Sequence, residues 1–245
     1  MPYRQISFEK NQPVHIISRA VEEREIFREE ENCYRFIFQM YAANFGKPAL
    51  NLWRQDIIKS AKALLQGEDI SSKFIIKEHP PLVYFLDFCL VINHYHFQLV
   101  PNSENSIPQY MRKLNIGFAK YFNLKHGRKG ALFGARYKSV PVMTNSQSDA
   151  VTRYINVINV LDVYQSGWRE KGLDDWQGSL NFLENYQFSS FPDKIGRRNS
   201  KIIAPKEILE KFAPIEYNED KELYLKFTKD FLKNKLAHFS PLFLE

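Results

Sequence analysis

Val91-Ile-Asn-His-Tyr-His-Phe-Gln-Leu-Val100 is the stretch on which the reading of this chain turns. Apolar or aromatic residues alternate with polar ones, and Pro101-Asn102 ends the run, which is the pattern of a β-strand. Strand side chains point alternately to two faces, so His94, His96 and Gln98 share one face while Tyr95, Phe97 and Leu99 share the other. Two imidazoles two residues apart on a strand can grip a single ion, and neutral imidazole is the commonest protein metal ligand. The plain alternative is a pair of half-exposed strand histidines with no ligand.

Working outward, residues 82–91 read as a second strand, joined to the first by a tight turn as an antiparallel hairpin. Asp87 lies within it, and the reading favours solvent for its carboxylate. Residues 13–20 read as an earlier strand with Val14, Ile16 and Ser18 on one face and His15, Ile17 and Arg19 on the other. For His15 two readings stand, a place near the site and an ordinary strand position, and the second is preferred. Helices are expected at 29–45 and 106–124. A further strand at 136–143 is followed by a helix to about residue 161, capped by Asn145 or Ser146. Residues 49–79 look like an insertion with an amphipathic helix at 52–65, and residues 162–195 read as aromatic and irregular. The expected organisation is one domain over 1–195 and a C-terminal helical extension over 196–245, with short helices at 205–212 and 218–236.

Composition narrows the partner. The 245 residues carry a formal net charge of +6, a mild excess that suits a polyanion. Its distribution says more: from Asn105 through Ser148 there is no Asp or Glu, yet Arg112, Lys113, Lys120, Lys125, Arg128, Lys129, Arg136 and Lys138 all fall there. These are the candidate DNA-binding residues, and the loop Lys125-His-Gly-Arg-Lys129 is the best candidate for backbone phosphate contacts. For each cation the ordinary alternative is a solvated helix face. Cys33 and Cys89 sit in apolar segments and read as buried thiols of a reducing compartment. No apolar signal core and no run of membrane-span length is present, so a cytoplasmic location without membrane contact is expected.

Asn93-His94-Tyr95-His96 resembles the His-hydrophobic-His motif of the HUH single-strand nucleases. The surrounding chain is similar to their single-tyrosine transposases, in particular the REP-associated ones. The landmarks run in order: His15-Ile-Ile-Ser-Arg-Ala-Val21, Phe27, the histidine strand, Tyr121-Phe-Asn123, Gly130-Ala-Leu-Phe-Gly-Ala-Arg-Tyr-Lys-Ser139, Arg153-Tyr-Ile155 and Phe188-Ser-Ser-Phe191. The resemblance spans roughly residues 13 to 195.

The resemblance implies an α+β fold, a ferredoxin-like antiparallel sheet with helices on one face, matching the element order above. It implies Tyr154 as nucleophile on single-stranded or hairpin DNA, a 5′-phosphotyrosine intermediate with a free 3′-OH, and a homodimer. By periodicity alone Tyr154 is a buried helix tyrosine; Tyr121 is the runner-up nucleophile. Mg²⁺ or Mn²⁺ on His94 and His96 suits phosphate transfer. Relatives carry an amide four residues after the tyrosine as a third ligand, but here that position is Ile158 and the amide comes one residue later as Asn159. The Pro that follows in relatives is Val160 here. In a regular helix Asn159 would stand about 140° from Tyr154. A one-residue π-bulge would bring it back; Gln98 is the other candidate. Two further readings stay open: a non-catalytic DNA-binding protein of the same fold, and a metal-dependent phosphohydrolase using water.

Overall fold

A computed structural model describes residues 8–134 and 136–212 and, beyond them, residues 222, 224–226 and 228. Its centre is the expected hairpin: β4 (Val83–Val91) and β5 (His94–Pro101) turn about Ile92 and Asn93. With β1 (Val14–Arg19) and β6 (Lys138–Pro141) they form a four-stranded sheet in the order β4-β5-β1-β6, with every pair antiparallel. That is the ferredoxin-like order, and the chain has the α+β architecture expected of it. Register sets His15 opposite Gln98, Ile17 opposite His96 and Arg19 opposite His94. Directly paired residues point to the same face, so β1 contributes His15 to the histidine face.

One face of the sheet is covered by α1 (Glu30–Phe45) and α3 (Ser106–Lys125). Val14 and Ile16, Phe85, Phe88 and Leu90, and Tyr95, Phe97 and Leu99 pack there against Phe36, Met40, Tyr110, Leu114 and Phe118. Each large apolar side chain fully buried in this layer contributes roughly 1.5–3 kcal/mol. The switch from Phe85 to Phe88 on one face reflects a β-bulge between Phe85 and Asp87, which reverses the phase of the strand.

The histidine face is covered as well, by elements after β6. They are α4 (Asn145–Arg153), a π-helical turn (Tyr154–Ile158) and α5 (Asn159–Tyr164), with α7 (Trp176–Asn185) and α8 (Phe191–Lys194) outside them. Cys89, Val91, Val151, Ile155, Ile158, Leu161, Leu183 and Phe191 form this second core. The N-cap of α4 is Thr144, ahead of the expected Asn145 or Ser146. Its hydroxyl accepts from Gln147 N at 3.2 Å, while Gln147 Oε1 accepts from Met143 N at 2.7 Å. Residues 162–195 are therefore more regular than read: α6 (Trp168–Lys171), α7 and α8 occupy them. α6 and α8, at four residues each, are too short to show a 3.6-residue period.

The insertion carries α2 (Arg54–Leu65) and a small hairpin of β2 (Gly46–Pro48) with β3 (Ile75–Lys77). Any side chain at position 46 would collide with the Ile76 carbonyl, which is why glycine stands there. The outer edge of β4 is covered by backbone bridges from Ser189 and Ile203. Beyond these, α9 (Lys206–Phe212) falls where the 205–212 helix is expected, whereas most of the 218–236 helix lies outside the described residues. Both cysteines are buried and free, and among the described residues no helix is long and apolar enough to cross a membrane.

Candidate active site

His94 and His96 project from β5 onto the buried histidine face, His96 fully inaccessible and His94 nearly so. Their rings meet edge-on with centroids 4.9 Å apart. His94 Nδ1 donates to Asn93 Oδ1 at 2.5 Å. His96 Nδ1 lies 3.1 Å from His15 Nε2, with the two rings stacked at 5.3 Å. The reading of His15 as an ordinary strand position is thus corrected: antiparallel register brings it into the site, an outcome visible only once the β1–β5 pairing is known. His96 Nε2 is buried and has no hydrogen-bond partner. A stranded imidazole nitrogen on a buried face shared with His94 and Tyr154 fits a metal ligand. Among the described residues no group of three His, Cys, Asp or Glu could hold a metal, so a cation here would rest on two imidazoles and non-acidic oxygen donors.

Both imidazoles favour the neutral form. Burial, then the charges of Arg19 and Arg169, lower the His94 pKa to about 3. Burial first, then His94, His15 and the same arginines, hold His96 well below the ordinary histidine value. Neutral imidazole is the ligand form.

Tyr154 stands against these rings, its own ring edge-on to His96 at 5.4 Å and to His15 at 5.8 Å. It is buried, and the Arg169 guanidinium lies 5.7 Å from its ring centre. Tyr121, the runner-up, faces the other layer, where its hydroxyl bonds Asn32 at 3.0 Å. The turn that begins at Tyr154 is π-helical: the Asn159 backbone N–H bonds the Tyr154 carbonyl, five residues back. Asn159 Nδ2 donates to the same carbonyl at 2.9 Å, and its Oδ1 accepts from Arg169 at 3.2 Å. The wide turn keeps Asn159 beneath Tyr154 despite the extra residue. Arg169, itself paired with Asp162, is a site cation that sequence reasoning missed, lying in a stretch read as irregular.

Gln98 is fully buried on the histidine face but committed to α4. Its Nε2 donates to Ser148 Oγ at 2.6 Å, and its Oε1 lies 3.3 Å from the Thr152 hydroxyl. Asp87, expected in solvent, is completely buried. The bulge in β4 sets it opposite Gln98, where its carboxylate accepts from Thr152 at 2.8 Å and Asn156 at 2.6 Å and pairs with Lys194 at 3.2 Å. Asn156 in turn accepts from Ser190 at 2.7 Å. This polar belt ties the tyrosine helix to its own sheet and to the Phe188-Ser-Ser-Phe191 turn. An unbulged strand would have aimed Asp87 into the Phe97 core, and alternation alone offered no hint of the shift.

The eight candidate cations are divided by the fold. Arg112 and Lys120 are exposed on α3, which packs on the face away from the histidines, and Lys113 beside them donates to His79 at 3.0 Å. Lys125 pairs with Glu29 at 2.7 Å and Glu31 at 3.1 Å. Arg128, bonded to Asn123 at 2.7 Å, and exposed Lys129 belong to the glycine-punctuated loop. That loop closes against Arg19 and Val21 through Gly134 N and Leu132 O, at the end of β1 that pairs with His94. Lys138 pairs with Ile17, which also faces His96, so Lys138 shares the histidine face; Arg136 is exposed just before it.

No protein-family model matches this chain, and no curated protein matches it. Among solved structures it is similar to a REP-associated tyrosine transposase bound to a REP hairpin, with 10% identity, a TM-score of 0.46, and coverage of 84% of this chain and 93% of that one.

Proposed function

We propose that the chain is a tyrosine-dependent DNA strand transferase acting on single-stranded or hairpin DNA. The observation that carries this reading is the meeting of the Tyr154 ring with His96 at 5.4 Å, beside an imidazole nitrogen left without a partner. The motif resemblance and the acid-free basic block supply the substrate class. His94 and His96 would hold Mg²⁺ or Mn²⁺; when bound, such an ion polarises the scissile phosphate as a Lewis acid. Tyr154 Oη attacks the phosphorus, the bond to the 3′ oxygen breaks, and a 5′-phosphotyrosine remains. The proton lost by the phenol is matched by the one gained at the 3′ oxygen, so neither water nor ATP is consumed. Arg169, over the tyrosine ring, adds positive potential where phosphate charge would gather. The polar belt about Asp87 holds the nucleophile's helix against the imidazoles of the same chain.

One observation favours a second reading. Gln98 and Asn159, the candidate third ligands, both spend their amides on protein partners, which suits a DNA-binding protein of this fold without cleavage. Labelled hairpin DNA incubated with the protein and Mn²⁺, then run under denaturing conditions, separates the readings. The transferase forms a covalent adduct that Tyr154→Phe abolishes. Salt-sensitive binding with no adduct establishes the second reading instead. Cleaved product without adduct, surviving Tyr154→Phe, would identify a phosphohydrolase.

A further inference from the structure

We infer that His15 is a positioning residue for the metal site: it accepts the Nδ1 proton of His96 and so leaves the His96 Nε2 lone pair for a cation. This rests on the proposed metal-dependent reading and extends it to a residue on another strand. A neutral imidazole has one N–H and one lone pair, so the bond made at one ring nitrogen decides the state of the other. For His94 the decision is forced, because Asn93 Oδ1 can only accept; Nδ1 carries the proton and Nε2 the lone pair. For His96 the partner at Nδ1 is His15 Nε2, 3.1 Å away and fully buried. If His15 accepts, both imidazoles share one tautomer and both Nε2 atoms are ligand lone pairs. If His15 donates, His96 Nε2 carries a hydrogen, and the unpartnered nitrogen is closed to a cation.

The same geometry separates His15 from the ligands themselves. Its Nε2 is engaged with the far side of the His96 ring, not with the side bearing the unpartnered nitrogen. Stacking of the two rings at 5.3 Å fixes the plane of His96 as well as its tautomer. A hydrogen-bonded support behind a ligating imidazole raises its basicity and holds its orientation, and losing one weakens metal affinity by about 10–100-fold.

Nitrogen-15 spectra of the metal-free protein, read through the two- and three-bond couplings of the His96 ring, test the assignment directly. Wild type is expected to show His96 protonated at Nδ1. His15→Gln, whose side-chain oxygen can accept the same proton, keeps that tautomer, whereas His15→Phe loses it. Titration with Mn²⁺ should give weaker binding by about 10–100-fold for His15→Phe and near wild-type binding for His15→Gln. A wild-type His96 protonated at Nε2, or a folded His15→Phe variant that binds Mn²⁺ as wild type does, overturns the inference. Should wild type bind no Mn²⁺ at all, the metal-dependent reading fails, while the nitrogen spectra still decide what His15 does to His96.

Discussion

Single residues carry the sharpest consequences of this fold, and Asp87 is the clearest. Its carboxylate and the Lys194 ammonium are both withdrawn from water, so removing one strands the other. Asp87→Ala should cost about 3–5 kcal/mol in urea unfolding, and the double variant Asp87→Leu, Lys194→Met much less. The histidines predict a pH dependence. Folded His94 and His96 have pKa values depressed below the unfolded value near 6.5, so below that pH the unfolded chain binds protons that the folded chain refuses. Stability in chelator should therefore fall as pH drops from about 6.5 toward 3, by up to about 1.4 kcal/mol per pH unit for each histidine. A urea midpoint that stays flat across this range would contradict their burial as neutral rings. Burial also pushes the Cys33 and Cys89 thiols up, so thiol reagents should label neither until the protein unfolds.

Among the elements, the segment from α4 through α5 joins a helix expected from its spacing to a cap and a wide turn that were not. Its helical character is plain in the spacing of Val151, Ile155 and Ile158, but the cap and the wide turn depend on backbone geometry. Thr144→Ala removes the hydroxyl that accepts from Gln147 N, and about 1 kcal/mol of stability should go with it. The mismatch between Tyr154 and Asn159 could be counted in residues; its resolution by a π turn required the backbone N–H of Asn159 to reach the Tyr154 carbonyl. Asn159→Leu removes both side-chain bonds, to that carbonyl and to Arg169. Loss of adduct with the fold intact is expected, whereas an undiminished adduct yield would show that the amide serves the helix alone.

For the whole molecule, the two faces of the sheet divide the work: α1 and α3 close one core, and the tyrosine segment closes the other over the histidines. The division predicts which cations meet DNA. Lys129→Ala and Lys138→Ala, on the loop by His94 and on the histidine face, should each weaken hairpin binding and lower the salt slope by about 0.7. Arg112→Ala and Lys120→Ala, on the far layer, should leave both nearly unchanged in the same fluorescence titrations. The segment 196–245, read as an extension, also touches the core: Ile203 bridges Phe85, and Lys201 N bonds Leu64 O at 2.8 Å. A chain cut after residue 195 should accordingly melt lower than the full chain, because part of the β4 edge loses its cover.

From residue order alone came the four strands of the main sheet, the long helices, the β4–β5 hairpin and the facing of His94, His96 and Gln98, but not the small β2–β3 hairpin. These follow from periods of two and 3.6 residues and from the short range of turn chemistry. Tertiary structure alone decided that His15 stands behind His96, that Asp87 is buried and that Arg169 lies over Tyr154. Each of these depends on strand register, on a one-residue bulge or on the return of a distant short helix. Such features are set by contacts between separate elements, which no local pattern of side chains encodes.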